Sequence, residues 1–145
     1  MLAPLLFLFY INTLTERLPD DVVYSLFADD ISLLSTGSSL TSAKNNLQQS
    51  INIVTQWAKE YKMELSDKSE VCYFSTSAHE ASWIPTVKMN NNLVRFNPSP
   101  RLLGVYLDRT LSFQKQVEEV KNKVTAKCRM LAALANSKWG GENQN

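Results

Sequence analysis

Val22-Val23-Tyr24-Ser25-Leu26-Phe27-Ala28, then Asp29-Asp30, then Ile31-Ser32-Leu33-Leu34-Ser35-Thr36 is the stretch whose reading decides the fold. Two short β-prone runs flank two turn-favouring residues, which reads as a β-hairpin. Neither run alternates cleanly between apolar and polar, so both strands are expected to be covered on both faces. The adjacent carboxylates of Asp29 and Asp30 act against packing logic in that setting. Like charges this close disfavour joint ionisation, and burial makes it worse. A bound divalent cation resolves the conflict, because Mg²⁺ takes carboxylate oxygens and bridges phosphates, and two such ions can stabilise the attacking and leaving oxygens of a phosphoryl transfer. A hydrophilic turn in solvent explains the same two residues without a metal.

Outward from the hairpin, Gly37-Ser38-Ser39 ends the second strand and supplies helix N-caps. Leu40, Ala43, Leu47, Ile51, Val54, Trp57 and Tyr61 then follow at spacings of three and four, the stripe of a long amphipathic helix laid on a sheet. Upstream, Leu2 to Ile11 is almost wholly apolar and is expected to be a buried helix, starting near Pro4 and stopping before Pro19. Downstream, residues 70–75 read as a strand, and Thr86 to Met89 and Leu93 to Phe96 as a hairpin turning at Asn90-Asn91-Asn92. Leu102 to Leu107 reads as a further strand. From Ser112 onward, Phe113, Val117, Val120, Val124, Cys128, Leu131 and Ala135 form a second helical stripe, with Lys115, Lys121, Lys123, Lys127 and Arg129 outside it. Residues 140–145 carry no periodicity and are expected to fray. The order of elements points to an α+β fold with an antiparallel sheet.

Composition sets the class. The 145 residues are 44% apolar and 20% charged, which suits a globular domain able to bury a core without disulfides or metal clips. Cys72 and Cys128 are too few and too scattered for a disulfide framework or a zinc site, and are expected to be reduced, buried and intracellular. The net charge of +1 excludes nucleic-acid binding by bulk charge alone. Its distribution is uneven: residues 1–75 carry 5 Lys/Arg against 9 Asp/Glu, a balance of −4, and residues 76–145 carry 10 against 5, a balance of +5. An acidic half beside a basic half suits metal on one side and phosphate on the other, and equally an ordinary protein with uneven surfaces. The apolar run at the N-terminus lacks the flanks of a signal peptide and the roughly twenty residues a membrane span needs, so no membrane role is expected.

Phe27-Ala28-Asp29-Asp30 between hydrophobic strands resembles the metal-binding hairpin of reverse transcriptases, in the form typical of non-LTR retrotransposons. The resemblance continues in order. Leu2-Ala3-Pro4-Leu5-Leu6-Phe7 with Tyr10-Ile11-Asn12 is similar to the end of the preceding family motif and its palm helix. Trp57-Ala58 with residues 63–70 resembles the helix-to-strand motif after the hairpin, Leu103-Gly104-Val105 with Leu107-Asp108 the primer-grip strand, and the basic helix with Trp139-Gly140 the start of the thumb. This implies a partial palm over 1–97, primer grip and start of thumb over 98–139, and a disordered tail over 140–145. It implies that Asp29 and Asp30 are ligands of catalytic Mg²⁺ and that Lys68 donates a proton to departing pyrophosphate. Leu103, Gly104 and Val105 would hold the primer end through the backbone, Gly104 allowing close approach. Lys121, Lys123, Lys127 and Arg129 would face template–primer phosphates. Each has a plainer reading: a solvated turn lysine, a buried strand with a bulge, a solvated helix face with Glu118 and Glu119 mixed in.

The departures concern activity. The family's centre needs a further Asp from a strand upstream of Leu2, where the fingers also lie, and the chain is expected to begin inside a larger polymerase. The Ser66-Asp67-Lys68 spacing is one residue shorter than the family's, which misaims Lys68. Two carboxylates without a third partner should hold Mg²⁺ weakly. The implied function is therefore a fragment of an RNA-directed DNA polymerase, whose full-length relatives use an RNA template, a DNA primer and deoxynucleotides, with this chain inactive alone. A non-catalytic nucleic-acid-binding remnant, and a reading frame without cellular role, are the alternatives. Lone His79, in a polar loop, is given no role.

Overall fold

The computed structural model describes residues 2–77, 80 and 82–136. Residues 140–145, expected to fray, His79 and the Trp139-Gly140 pair lie outside the described residues. The chain divides into two compact units, Met1–Cys72 with Trp83–Asn97, and Tyr73–Ser82 with Pro98–Asn145. The architecture mixes helices with small sheets, as an α+β chain requires. One continuous antiparallel sheet is not what forms. The described strands make four two-stranded ladders, three antiparallel and one parallel.

In the first unit, α1 (Ala3–Thr15) starts with Pro4 in its first turn, where a missing backbone N–H costs nothing. Its expected burial holds on one stripe only. Ile11 and Leu14, with Leu18 beyond the helix end, enter the core, while Leu5, Leu6, Leu8 and Phe9 face solvent. The hairpin pairs β1 (Val22–Phe27) with β2 (Asp30–Ser35) in the register Val22↔Ser35 to Phe27↔Asp30. Its two-residue turn is therefore Ala28-Asp29, one residue earlier than the sequence suggests, and Asp30 is the first residue of β2. The strands are not covered on both faces: Leu26, Ile31 and Leu33 pack against the core, whereas Val23, Tyr24, Phe27 and Leu34 are exposed.

Helix α2 (Leu40–Glu60) forms where the stripe predicts. Ser39 caps it, its hydroxyl accepting the Ser42 N–H at 3.1 Å. Lys62 at φ +55° closes the other end, with Lys62 N–H bonding Lys59 C=O at 3.2 Å and Met63 N–H bonding Ala58 C=O at 2.8 Å. That is the Schellman pattern with lysine in the position glycine favours. Val54, Trp57 and Ala58 join Ile11, Leu14 and Leu18 in the core cluster. The core Trp57 is not left with an orphan donor: its Nε1–H donates to Thr13 Oγ1 at 2.9 Å, and Thr13 donates to the Tyr10 carbonyl at 2.7 Å. Tyr61 packs on Trp57, and Tyr10 meets Tyr61 edge-on at 5.7 Å while remaining largely exposed, so Tyr10 is not the core residue expected.

The strand expected over 70–75 shortens to β3 (Glu70–Val71), which pairs in parallel with β6 (Arg95–Phe96). Between them, β4 (Lys88–Met89) and β5 (Asn92–Leu93) form the expected hairpin. Asn90 and Asn91 sit at φ +51° and +65°, the left-handed pair that a tight hairpin turn needs and that asparagine tolerates. The Gln48 side-chain amide fastens this hairpin to α2 by exchanging hydrogen bonds of 2.7 and 2.8 Å with the backbone of Lys88.

In the second unit the expected Leu102–Leu107 strand is instead a hairpin, β7 (Arg101–Leu102) against β8 (Val105–Tyr106), reversing at Leu103-Gly104. Helix α3 (Gln114–Asn136) follows. Its apolar stripe is present but not covered: Val117, Val120, Val124 and Leu131 are all exposed. Cys128 is exposed and Cys72 half-buried, so neither is the buried thiol expected. No helix among the described residues is long and apolar enough to cross a membrane.

Candidate functional site

The hairpin tip carries the two carboxylates. Val22 is buried at the open end of the hairpin, and Leu26 and Ile31, the pair next to the turn, pack against the core, so the ladder is anchored at both ends. Both Asp29 and Asp30 are exposed, and neither carboxylate has a hydrogen-bond or ion-pair partner among the described residues. The burial conflict expected for the pair is therefore absent, because a turn residue and the first residue of a strand end face water. What remains is four unengaged carboxylate oxygens on consecutive residues. That donor set fits a hard divalent cation in part: Mg²⁺ commonly takes one or two carboxylates and completes its shell with water and substrate phosphates. Among the described residues no third His, Cys, Asp or Glu joins them.

Lys68 lies in a turn whose backbone is tied by Ser66. The Ser66 hydroxyl accepts the Lys68 N–H at 3.2 Å, and Ser69 Oγ donates to the Ser66 carbonyl at 2.9 Å. Its ammonium is exposed and makes no ion pair with Asp29 or Asp30. The three residues share the first unit.

Leu103 and Gly104 are the tip of the β7–β8 hairpin, at φ +46° and +91°. A Cβ on Gly104 would meet nothing within 4 Å. Within the hairpin itself, glycine serves the backbone angle. Leu103 and Val105 are exposed, which removes the buried-strand reading.

Lys121, Lys123, Lys127 and Arg129 are all exposed on α3. At about 100° per residue, Lys121 and Lys127 lie about 120° apart, flanking the apolar stripe on opposite sides. Lys123 is on the Lys127 side, and Arg129 lies behind. The four cations ring the helix and do not form one face.

Sequence reasoning missed a second cationic group in this unit. Arg101 Cζ lies 5.5 Å and Lys115 Nζ 4.4 Å from the centroid of the Tyr106 ring. The available signal was basic residues flanking an aromatic, but the juxtaposition needs the Leu103-Gly104 reversal, which pairs Arg101 with Tyr106. Close by, Asp108 accepts hydrogen bonds from the backbone and side chains of Thr110 and Ser112, at 2.9 to 3.2 Å, ahead of α3. The Ser112 backbone bond above all holds its pKa down at about 2. Glu80 accepts from Tyr73 and Ser75, which lowers its pKa and raises that of Tyr73.

A shallow cleft of about 220 Å³ lies in the first unit between α2 and the Asn90 turn, lined by Thr55, Ala58, Lys59, Met63, Glu64 and Leu65. None of the sequence-predicted site residues lines it.

The profile of the family described as "Reverse transcriptase (RNA-dependent DNA polymerase)" matches residues 1–121. The chain is 28% identical over 120 residues to the RNA-directed DNA polymerase from mobile element jockey of Drosophila melanogaster, a match covering 83% of this chain and 13% of that protein. It is 25% identical over 138 residues to a putative 115 kDa protein in the type-1 retrotransposable element R1DM of the same species, covering 95% of this chain and 13% of that one. A Pol polyprotein from a type-1 element R1 of Nasonia vitripennis is 22% identical over 118 residues, covering 79% of this chain and 31% of its own. The chain thus spans a small part of each of these relatives. No solved structure matches it.

Proposed function

Because the chain belongs to the reverse transcriptase (RNA-dependent DNA polymerase) family, we propose that it is the part of a non-LTR retrotransposon polymerase that carries the Asp29-Asp30 hairpin, the primer-holding hairpin and the first thumb helix. The reaction is nucleotidyl transfer, in which a primer 3′-OH attacks the α-phosphate of a deoxynucleotide paired to an RNA or DNA template and pyrophosphate leaves. Asp29 and Asp30 hold the divalent metal that reverse transcriptases use. When bound, that metal neutralises charge at the attacked phosphate and the departing pyrophosphate. Lys68, exposed and unpaired with any carboxylate among the described residues, is the proton donor to pyrophosphate. The backbone around Leu103, Gly104 and Val105 holds the primer end, and the α3 cations attract template–primer phosphates irrespective of sequence.

The observation that carries this reading is the family match spanning the hairpin, with both carboxylates at its exposed tip and free of protein partners among the described residues. The exposed apolar residues of α1, β1 and α3 support a further part of the polymerase covering them. We place the protein inside the cell, in keeping with two cysteines too few and too scattered for a disulfide framework.

Alone, the chain is inactive. The absence of a third acidic ligand among the described residues favours, as the second reading, a nucleic-acid-binding remnant without polymerase activity. Primer extension with the purified chain, Mg²⁺ and an RNA template tests this. No extension is expected, and synthesis that Asp29→Ala abolishes would overturn the inactivity while upholding the family role.

A further inference from the structure

We infer that the cleft on the outer face of α2 binds an extended acidic peptide of another protein, at a site separate from the Asp29-Asp30 hairpin. The inference does not depend on the polymerase reading.

The cleft has two lobes that share Thr55, Lys59 and Asn90. The smaller, about 220 Å³, adds Ala58, Met63, Glu64 and Leu65 and is the more apolar end. The larger, about 470 Å³, adds Asn52, Gln56, Lys88 and Asn91, and has the size of a ligand-holding pocket. At about 100° per residue, Asn52, Thr55, Gln56 and Lys59 lie on the side of α2 opposite Val54 and Trp57. Val54 and Trp57 belong to the core cluster on which Leu26, Ile31 and Leu33 of the first hairpin pack. The cleft and the acidic turn therefore occupy opposite sides of one helix.

The larger lobe is cationic without a counter-charge. Lys59 from α2 and Lys88 from β4 both line it, and no carboxylate does. Neither lysine forms an ion pair among the described residues. Within four residues of either in sequence, the one acid is Glu60. Its carboxylate is taken by Arg17 at 2.6 Å and by Gln56 at 3.2 Å. Two ammonium groups on one wall suit a carboxylate side chain.

The uncharged groups suit a peptide main chain. Asn52 Oδ1 accepts from Gln48 at 2.9 Å, which leaves its amide hydrogens to donate. Gln56 Nε2 donates to Glu60, which leaves its carbonyl oxygen to accept. One donor and one acceptor a helical turn apart match the C=O and N–H that a peptide presents. Thr55 Oγ1 is shielded from solvent and has no hydrogen-bond partner among the described residues. A shielded hydroxyl without a partner calls for one, and threonine in a helix has two accessible χ1 rotamers through which to reach it. The Ala58, Met63 and Leu65 end then takes an apolar side chain beside the acidic one. No aromatic side chain lines either lobe, so the cleft lacks the stacking surface that single-stranded nucleic acid uses.

Amide chemical shifts of the isotope-labelled full chain, titrated with a blocked hexapeptide of alternating leucine and glutamate, test the inference. Saturable shifts are expected at residues 52–59, 63–65 and 88–91, and a leucine–lysine hexapeptide should produce none there. Lys59→Gln with Lys88→Gln, both at exposed positions, is expected to weaken binding about tenfold, the sum of two exposed ion pairs. Lys44→Gln, about 22 Å along the same helix, is expected to leave it unchanged. Spectra of the double variant that match wild type away from the cleft will show that it folds. Absence of shifts at the cleft, or wild-type affinity in the double variant, would overturn the inference. So would equal binding of the lysine peptide, or displacement of the glutamate peptide by a short single-stranded RNA.

Discussion

Phe27 and Asp30 are the last cross-strand pair of the β1–β2 hairpin, and so the whole reversal falls on Ala28 and Asp29. Ala28 takes it at φ +52°, a region in which a Cβ is strained. Ala28→Gly should relieve about 1–2 kcal/mol of left-handed strain against about 0.4–1 kcal/mol of added unfolded-chain entropy, a net stabilisation of up to about 1.5 kcal/mol. Urea denaturation followed by tryptophan fluorescence measures this, and unchanged or reduced stability would show the turn to be unstrained.

Trp57 depends on Thr13 in the core between α1 and α2. The indole N–H is buried and its partner is the Thr13 hydroxyl at 2.9 Å. Thr13→Val keeps the shape and removes the acceptor, so destabilisation of about 1–3 kcal/mol is expected from the stranded donor. Thr13→Ser should recover most of it. Equal losses in the two variants would assign the effect to packing.

Asp108 ties stability to pH. Its folded pKa, about 2, lies below the ordinary value of 3.8, chiefly through the Ser112 backbone hydrogen bond. A depressed acid contributes stability that is complete above the ordinary value and is lost as pH falls through the folded one. The melting temperature should therefore fall between about pH 5 and pH 2, and Asp108→Asn should flatten that part of the profile. A variant with the wild-type acid limb would place the linkage elsewhere.

Helix α2 was legible from the spacing of Val54, Trp57 and their neighbours, because a stripe long enough to cover a core has one period. The Asn90-Asn91 turn was legible because asparagine is a residue that accepts left-handed angles. Ala28, Lys62 and Leu103 adopt the same angles without announcing it. Hence the first hairpin turned one residue early, and the apolar run through Leu103 concealed a reversal that only Gly104 hinted at. The runs in β1, β2 and α3 reported which surfaces are apolar and not what covers them, so their burial was overestimated. The acidic pair was visible as residue types. The Arg101–Tyr106–Lys115 group was not, since it exists only once the hairpin folds.

In the proposed function, Asp29 and Asp30 are the metal-holding carboxylates of a polymerase fragment. Titration of the isotope-labelled chain with Mn²⁺, a paramagnetic substitute for Mg²⁺, tests it most directly through amide line broadening. Broadening should begin at residues 28–31 and disappear from there in Asp29→Ala with Asp30→Ala. Broadening centred instead on Asp20-Asp21 or Glu118-Glu119, and indifferent to that double substitution, would contradict the account.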